Sequence, residues 1–190
     1  MPKKLILIVG LPGSGKSTAA EFIKKEFNAG IFHTGDIIRE EIKKRGLNYV
    51  PKTDALIAHW FHTGGREKLL VKRVWDKIQK SKKKLVVVEG FRSDKNLEYI
   101  KEIAKTRPIV IAVVASFKVR VERELRRGRF EKEESVRYIK FRDLLEKSHG
   151  IEKLLKKADY TIDNSELNIK QTNAKIFKLI KNILEKPTSK

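Results

Sequence analysis

A nine-residue loop near the start of the chain constrains the fold more than any other stretch of the sequence. Residues 10–18 read Gly-Leu-Pro-Gly-Ser-Gly-Lys-Ser-Thr, which contains the spacing G-x-x-x-x-G-K-[ST] of a phosphate-binding loop. The loop follows an apolar run, residues 5–9, and opens a helical pattern over residues 18–27. Because such backbone gathers N–H groups at a helix N-terminus, the loop is expected to bind the phosphates of a nucleoside triphosphate.

Two side chains of this loop have distinct expected tasks. Lys16 would reach the β- and γ-phosphates, and the Ser17 hydroxyl would bind Mg²⁺. A glycine-rich turn can join a strand to a helix without any ligand, but the full spacing in this context favours ATP and Mg²⁺ as cofactors. The other residues expected to surround the nucleotide are Gly10, Pro12, Gly13, Ser14, Gly15 and Thr18.

Apolar, β-branched runs alternate along the chain with amphipathic helical patterns. Strands that alternate with helices form parallel sheets covered on both faces. We therefore predict an α/β fold, a P-loop NTPase three-layer sandwich with a five-stranded parallel sheet, helices on both faces and a short lid. The runs interpreted as strands are residues 5–9, 30–33, 85–89, 108–115 and 159–162.

The length of 190 residues fits a single domain over residues 1–190. The chain has no cysteine, which excludes disulfides and cysteine metal sites. Its longest apolar runs are too short to cross a bilayer, so we expect a cytoplasmic protein without a membrane partner.

Polar residues follow the second predicted strand, at the edge where ligands bind in parallel sheets. Thr34, Gly35 and Asp36 lie there, and Asp36 is placed to cap a helix predicted over residues 37–45. Arg39 lies about one helical turn after Thr34, and its guanidinium can grip an acceptor phosphate in a bidentate manner. These residues therefore form a candidate acceptor site.

The third predicted strand ends in Glu89, after four aliphatic residues. A carboxylate at this position typically holds the water shell of phosphate-bound Mg²⁺, although Asp is the commoner residue. Glu89 is one methylene longer, so it can bind the metal's water or act as a base towards the acceptor. Gly90 and Arg92 follow, and Arg92 adds a second phosphate clamp. The alternative interpretation of Arg39, considered alone, is an arginine on a solvated helix face that pairs with Glu40 or Glu41.

Several segments resemble one group of kinases. Residues 34–39 resemble the acceptor-site signature of adenylate kinases and related nucleoside monophosphate kinases. Residues 89–92 resemble their acidic-Gly-Phe-Pro-Arg segment, with Glu for Asp and without the Pro. Residues 120–129 resemble the arginine-bearing entrance to their lid, and residues 158–164 resemble a base-contacting turn also found in dephospho-coenzyme A kinases. The chain is similar over residues 5–184 to an archaeal group of adenylate-kinase-related P-loop proteins. This resemblance implies a single P-loop kinase-like domain over residues 1–190, with an acceptor-binding insertion at about 35–65 and a short lid at about 127–134.

This resemblance implies roles for residues outside the loop. Lys16 with Arg123 and Arg127 would neutralise the triphosphate, and Arg142 would contact the transferring phosphoryl group. Asn164 would contact the donor nucleotide. The acceptor, seated by the threonine and arginines named above, would be AMP or another nucleoside monophosphate, and the protein would be a phosphotransferase. The resemblance is incomplete, because no Gln follows the second acceptor arginine at the adenine-reading position, which leaves dephospho-coenzyme A as an alternative acceptor.

The formal net charge of +20 raises a nucleic-acid-associated ATPase or polynucleotide kinase as a further alternative. Nucleic-acid binding is not favoured, because the basic clusters at 82–84 and 126–129 lack neighbouring aromatic stacking residues. A third alternative is a nucleotide sensor without catalysis, if Glu89 cannot replace Asp. The partners expected are a nucleotide donor and a nucleotide-like small acceptor, and the sequence does not give the oligomeric state.

Overall fold

The computed structural model describes residues 3–128 and 131–185. Within these residues the strands form a single parallel sheet with the order β2-β3-β1-β4-β5, which confirms the predicted α/β architecture. The two edge strands are four residues long. The strands are β1 (Lys4–Val9), β2 (Gly30–His33), β3 (Leu85–Glu89), β4 (Ile109–Val114) and β5 (Tyr160–Asp163).

Helices cover both faces of this sheet. None of the helices in the described residues is long and apolar enough to cross a membrane. The helices formed by residues 3–128 and 131–185 are α1 (Lys16–Phe27), α2 (Thr34–Lys44), α3 (Pro51–Phe61), α4 (Glu67–Lys80), α5 (Asp94–Ala104), α6 (Phe117–Leu125), α7 (Lys132–Ser148), α8 (Ile151–Lys156) and α9 (Ile169–Glu185).

The alternation of side chains along β1 divides the core into two halves. Leu5 and Leu7 face the half that contains α2, α3, α4, α5 and α8. Ile6 and Ile8 face the half that contains α1 and α9. Because successive strand residues point to opposite faces, a continuous apolar run fills both halves at once.

The helix after β2 begins earlier than predicted. α2 starts at Thr34, its N-cap is His33, and no side chain caps it by a hydrogen bond. The predicted cap at Asp36 is therefore wrong, because Asp36 is already in the first turn and its carboxylate pairs with Arg39 at 2.5 Å. By contrast, Ser93 caps α5, and its side chain accepts a hydrogen bond from the Asn96 backbone N–H.

The predicted insertion contains α2 and α3, and ion pairs join α2 to α4. The buried Glu41 of α2 accepts hydrogen bonds from Arg45 at 2.7 Å and from Arg73 of α4 at 2.8 Å. Phe61 at the end of α3 is fully buried. The predicted lid at 127–134 includes residues 129 and 130, which lie outside the described residues.

Strand register places the functional residues at one edge of the sheet. Glu89, the last residue of β3, pairs with Ile8 of β1 on one side and with His33 of β2 on the other. The three parallel strands thus end side by side, directly before the phosphate loop, before α2 and before Gly90. Parallel pairing therefore brings together segments that are far apart in sequence.

Candidate active site

A cavity of about 390 Å³ opens at this carboxyl edge of the sheet. It joins residues of the phosphate loop to residues from β2, α2, the segment after β3, and α7. The lining residues are Gly10, Pro12, Lys16, Ser17, His33, Thr34, Gly35, Arg39, Glu89, Gly90, Phe91, Arg92, Arg142 and Glu146. Most of the residues that the sequence proposed for catalysis and acceptor binding therefore share one space.

The phosphate loop adopts a backbone that requires glycine at its tightest points. Gly15 has φ of 104°, and a Cβ placed there would lie 2.5 Å from the amide nitrogen of Asn164. The Lys16 ammonium, at the start of α1, donates a hydrogen bond to the Leu11 carbonyl at 3.1 Å. Burial lowers the pKa of Lys16, although the carboxylates of Glu89 and Glu146 act in the opposite direction. A bound anion would therefore stabilise the charged ammonium.

Arg123 and Asn164 support this loop through its backbone carbonyls. The Arg123 guanidinium donates to the carbonyl of Ser14 at 3.0 Å and to that of Gly13 at 3.2 Å. The Asn164 amide also donates to the Ser14 carbonyl, at 2.9 Å. Both residues were predicted to contact the nucleotide directly, but in this structure their polar atoms hold the loop.

Two further residues that were predicted to bind the nucleotide, Arg127 and Thr18, lie outside the cavity lining. Arg127 was predicted to neutralise the triphosphate, but its side chain is 54% exposed, pairs with Glu124 and does not line the cavity. The reason is its position, because α6 ends at Leu125 and Arg127 lies in the turn beyond it. Thr18 is exposed on the first turn of α1 and also lies outside the cavity lining.

A buried ion pair between α6 and α7 was missed in the sequence. Arg120 is only 4% exposed and donates two hydrogen bonds to Asp143, both at 2.6 Å. The same guanidinium donates to the Pro12 carbonyl at 3.2 Å. Asp143 follows the candidate Arg142 directly, so this pair holds α7 against the phosphate loop. Only the tertiary structure reveals which acidic residue meets Arg120.

Glu89 has both carboxylate oxygens occupied. The Ser17 hydroxyl donates to Oε1 at 3.0 Å, and His33 Nδ1 donates to Oε2 at 2.9 Å. Burial of Glu89 favours its neutral form, but the hydrogen bond from His33, the charge of Lys16 and the hydrogen bond from Ser17 prevail and lower its pKa. The hydrogen bond to Glu89 in turn raises the pKa of His33. Glu89 is thus held as a carboxylate.

Ser17 and Glu89 fit the requirements of Mg²⁺. Two neighbouring ligands of an octahedral Mg²⁺, each about 2.1 Å from the ion, lie about 3 Å apart. The Ser17 hydroxyl and Glu89 Oε1 have this separation. The described residues contain no group of three or more His, Cys, Asp or Glu side chains that could hold a metal ion. The remaining ligands would therefore have to be water and phosphate oxygens.

Arg39, Arg92 and Arg142 line the part of the cavity where an acceptor is expected, called the acceptor end below, and a buried glutamate contacts two of them. Glu146 is 4% exposed, and its Oε1 lies 3.1 Å from Arg92 Nη1 and 3.3 Å from Arg142 Nη2. Arg39 pairs instead with Asp36. The pKa of Arg142 is raised, because Glu146 and Tyr138 together outweigh its burial. Glu146 was missed in the sequence, although its four-residue spacing from Arg142 on a helix indicates a pair.

The floor of the acceptor end is closed by Thr34 and Gly90. The Thr34 hydroxyl donates to the Gly90 carbonyl at 3.0 Å. Gly90 has φ of 103°, and a Cβ placed there would lie 2.2 Å from the Thr34 hydroxyl oxygen. The Thr34 hydroxyl, predicted to seat the acceptor, is thus engaged with the backbone. Gly35 and Arg39, which were also predicted to bind the acceptor, line the cavity.

Three histidines meet behind Arg92, a grouping that the sequence did not suggest. His59 Nδ1 lies 3.2 Å from His149 Nε2, and the rings of His62 and His149 are 4.5 Å apart. Burial, together with the charge of Arg92, lowers the pKa of His62 to about 2 and that of His149 to about 4. These two rings are therefore neutral at neutral pH.

Comparison with known proteins agrees with this architecture. A family model described as an AAA domain matches residues 9–143. A UPF0200 protein of Pyrococcus horikoshii is 32% identical over 185 residues, covering 95% of this chain and 97% of the relative. A UPF0200 protein of Pyrobaculum aerophilum is 34% identical over 176 residues, covering 93% and 96%. The chain belongs to the UPF0200 family.

Members of this archaeal family differ in length. The present chain spans 57% of a UPF0200/UPF0201 protein of Archaeoglobus fulgidus, to which it is 32% identical. Among solved structures, the fold is shared with a shikimate kinase from Acinetobacter baumannii (TM-score 0.53, 21% identity, covering 97% of this chain and 96% of that one). It is also shared with TT1252 from Thermus thermophilus (TM-score 0.64, 16% identity, covering 98% and 100%). The UPF0200 chain therefore has a P-loop kinase-like fold.

Proposed function

We propose that this protein is an ATP-dependent phosphotransferase whose acceptor is nucleotide-like, in the first instance AMP or another nucleoside monophosphate. One observation carries the proposal. Lys16 and Ser17 of the phosphate loop line the same cavity as Arg39, Arg92 and Arg142, which come from three other segments. A triphosphate-binding loop facing a second cluster of cations is the arrangement needed to hold two phosphates for in-line transfer.

Phosphoryl transfer requires the protein to position the reactants and to stabilise their charge, and little else. The bond from the γ-phosphorus to the oxygen of the β-phosphate breaks, a bond to an acceptor phosphate oxygen forms, and ADP leaves. Lys16 and Arg142 would stabilise the charge on the transferring group, and Arg39 and Arg92 would seat the acceptor phosphate. Mg²⁺ held by Ser17 and Glu89 would neutralise charge on the triphosphate. An acceptor phosphate is already ionised, so no base is required.

A second candidate is transfer to a hydroxyl of a nucleotide-containing metabolite such as dephospho-coenzyme A. It is favoured by Glu89 and His33, which line the cavity as a hydrogen-bonded pair. A hydroxyl acceptor must lose its proton as the new bond forms, and the carboxylate of this pair is the group that could take it. The two candidates differ in whether a base is essential.

The proposal is tested by incubating the protein with ATP, Mg²⁺ and a panel of nucleoside monophosphates, dephospho-coenzyme A and short RNA. We expect ADP formation that depends on one class of small acceptor. ADP release at the same rate with and without every acceptor would contradict the proposal, and stimulation by RNA alone would favour a nucleic-acid-associated ATPase. Arg92→Ala should raise the acceptor KM strongly, whereas the exposed Arg107→Ala serves as the matched control.

A further inference from the structure

Strand register fixes the position of His33 relative to Glu89. The two residues are register partners at the ends of adjacent parallel strands. Immediately beyond them, the Thr34 hydroxyl donates to the Gly90 carbonyl at 3.0 Å. The ends of β2 and β3 are therefore joined twice, by a side-chain pair and by a side-chain-to-backbone hydrogen bond.

The contact with His33 gives the two oxygens of the Glu89 carboxylate different surroundings. Oε2 accepts the hydrogen bond from His33, and Oε1 is left to the Ser17 hydroxyl. A carboxylate only accepts, so the proton of this bond lies on His33 Nδ1. The Glu89 side chain is only 11% exposed, so little water competes for its two oxygens.

A glutamate needs such a partner more than an aspartate does. It has one more rotatable bond, so more conformational freedom must be lost before its oxygens lie at fixed points. Partners that orient metal-binding carboxylates typically change metal affinity or activity by about 10-fold to 100-fold. His33 occupies the position of such a partner, since it holds Oε2 of Glu89 and leaves Oε1 directed towards Ser17.

We propose that His33 is a positioning residue for the binding of Mg²⁺. His33 holds Oε2 of Glu89, so that Oε1 faces the ion beside Ser17. This inference rests on the proposed binding of nucleotide with Mg²⁺. It explains how Glu serves where an Asp is commoner, because the histidine fixes the longer side chain. His33 acts through Glu89 and takes no part in bond formation.

The test measures metal binding apart from turnover. Mn²⁺ affinity of the ADP complex is followed by electron paramagnetic resonance for the wild type, His33→Ala, His33→Phe and His33→Asn. We expect about 10-fold weaker Mn²⁺ binding for the Ala and Phe variants. We expect near wild-type binding for Asn, whose amide can donate from about the position of Nδ1. Metal-free ADP affinity and melting temperature should stay unchanged, which a general loss of structure would not allow.

Each outcome is decisive for one of the two ideas. Equal Mn²⁺ affinity in wild type, Ala and Phe variants would overturn the role of His33 while leaving the proposed kinase intact. Absence of Mn²⁺ binding to the wild-type ADP complex would instead count against the proposed function. Phe retains a ring of similar size, so the comparison can still be made if the smaller Ala side chain prevents folding. Glu89→Gln gives the upper limit of the effect.

Discussion

The two ends of the cavity differ in what forms them, because backbone forms the donor end and side chains form the acceptor end. At the donor end, one continuous loop presents its backbone, and Arg123 and Asn164 hold it from behind through the Ser14 carbonyl. At the acceptor end, side chains from α2, the segment after β3 and α7 meet, and carboxylates such as Glu146 balance them. Local sequence thus determines the first end, whereas tertiary packing determines the second.

The largest expected effect is at the donor end, where one side chain carries the charge. Lys16→Ala should reduce single-turnover phosphoryl transfer by about 10²-fold to 10³-fold, because a preorganised cation is lost from the reacting group. Stability should not fall, since burial already disfavours the charged ammonium. The exposed Lys24→Ala is the matched control. A loss of less than tenfold would show that the loop backbone suffices.

Asp143→Asn tests whether the donor end depends on α7. Removing the charge leaves Arg120 buried without its partner, and breaking such a pair costs about 3–5 kcal/mol. Chemical denaturation should therefore show a free energy of unfolding lower by about 3 kcal/mol or more. Glu152→Gln, which breaks an exposed pair with Lys147, should change it by less than about 1 kcal/mol. Equal effects would mean that the buried pair does not hold the loop.

Glu146→Gln tests whether the charges at the acceptor end balance one another. Arg92 and Arg142 would lose a shared counter-charge, which should lower stability by about 2 kcal/mol. An added anion would then replace the missing charge. Phosphate should thus raise the melting temperature of the variant more than that of the wild type. The exposed Glu102→Gln provides the control, and an identical phosphate shift in all three proteins would exclude this balance.

The smallest expected effect is the pH dependence of the histidines behind Arg92. Their folded pKa values, about 2 for His62 and about 4 for His149, lie below the ordinary value of 6.5. The unfolded chain therefore binds more protons below about pH 6.5, and stability is lost as pH falls. For the more deeply buried His62 the slope approaches about 1.4 kcal/mol per pH unit in this range.

This slope is measured by denaturation at several pH values between 7 and 5 for the wild type and His62→Phe. The variant lacks one titrating ring, so its stability should fall less steeply on acidification. An unchanged slope would show that His62 does not titrate differently in the folded and unfolded states. Exposed carboxylates are common to both proteins and cancel in the comparison.

Much of the fold was accessible from the sequence because it is encoded locally. The phosphate loop is continuous, and the aliphatic run before Glu89 is typical of a strand buried on both faces. The rule that ligands bind at the carboxyl ends of parallel strands then placed Arg92 and Arg39 near Lys16, and all three line one cavity. These inferences need only spacing and strand order.

The remaining features depend on distances between elements, which spacing alone does not provide. Asp143 and Glu146 sit among many acidic residues in the sequence, and only packing shows that they meet Arg120 and Arg92. His33 lies 56 residues before Glu89 in the sequence, where nothing indicates that the two side chains are partners. Arg127 was expected to neutralise the triphosphate, but α6 ends at Leu125, before Arg127, whose side chain pairs with Glu124.

The brevity of the outer strands has a consequence for contacts between molecules. A sheet can grow by pairing its edge with another chain, and long flat edges promote such growth. Here β2 and β5 expose only four residues each, and a formal charge of +20 makes identical molecules repel one another. Edge-to-edge aggregation is thus disfavoured both by the short edges and by electrostatic repulsion.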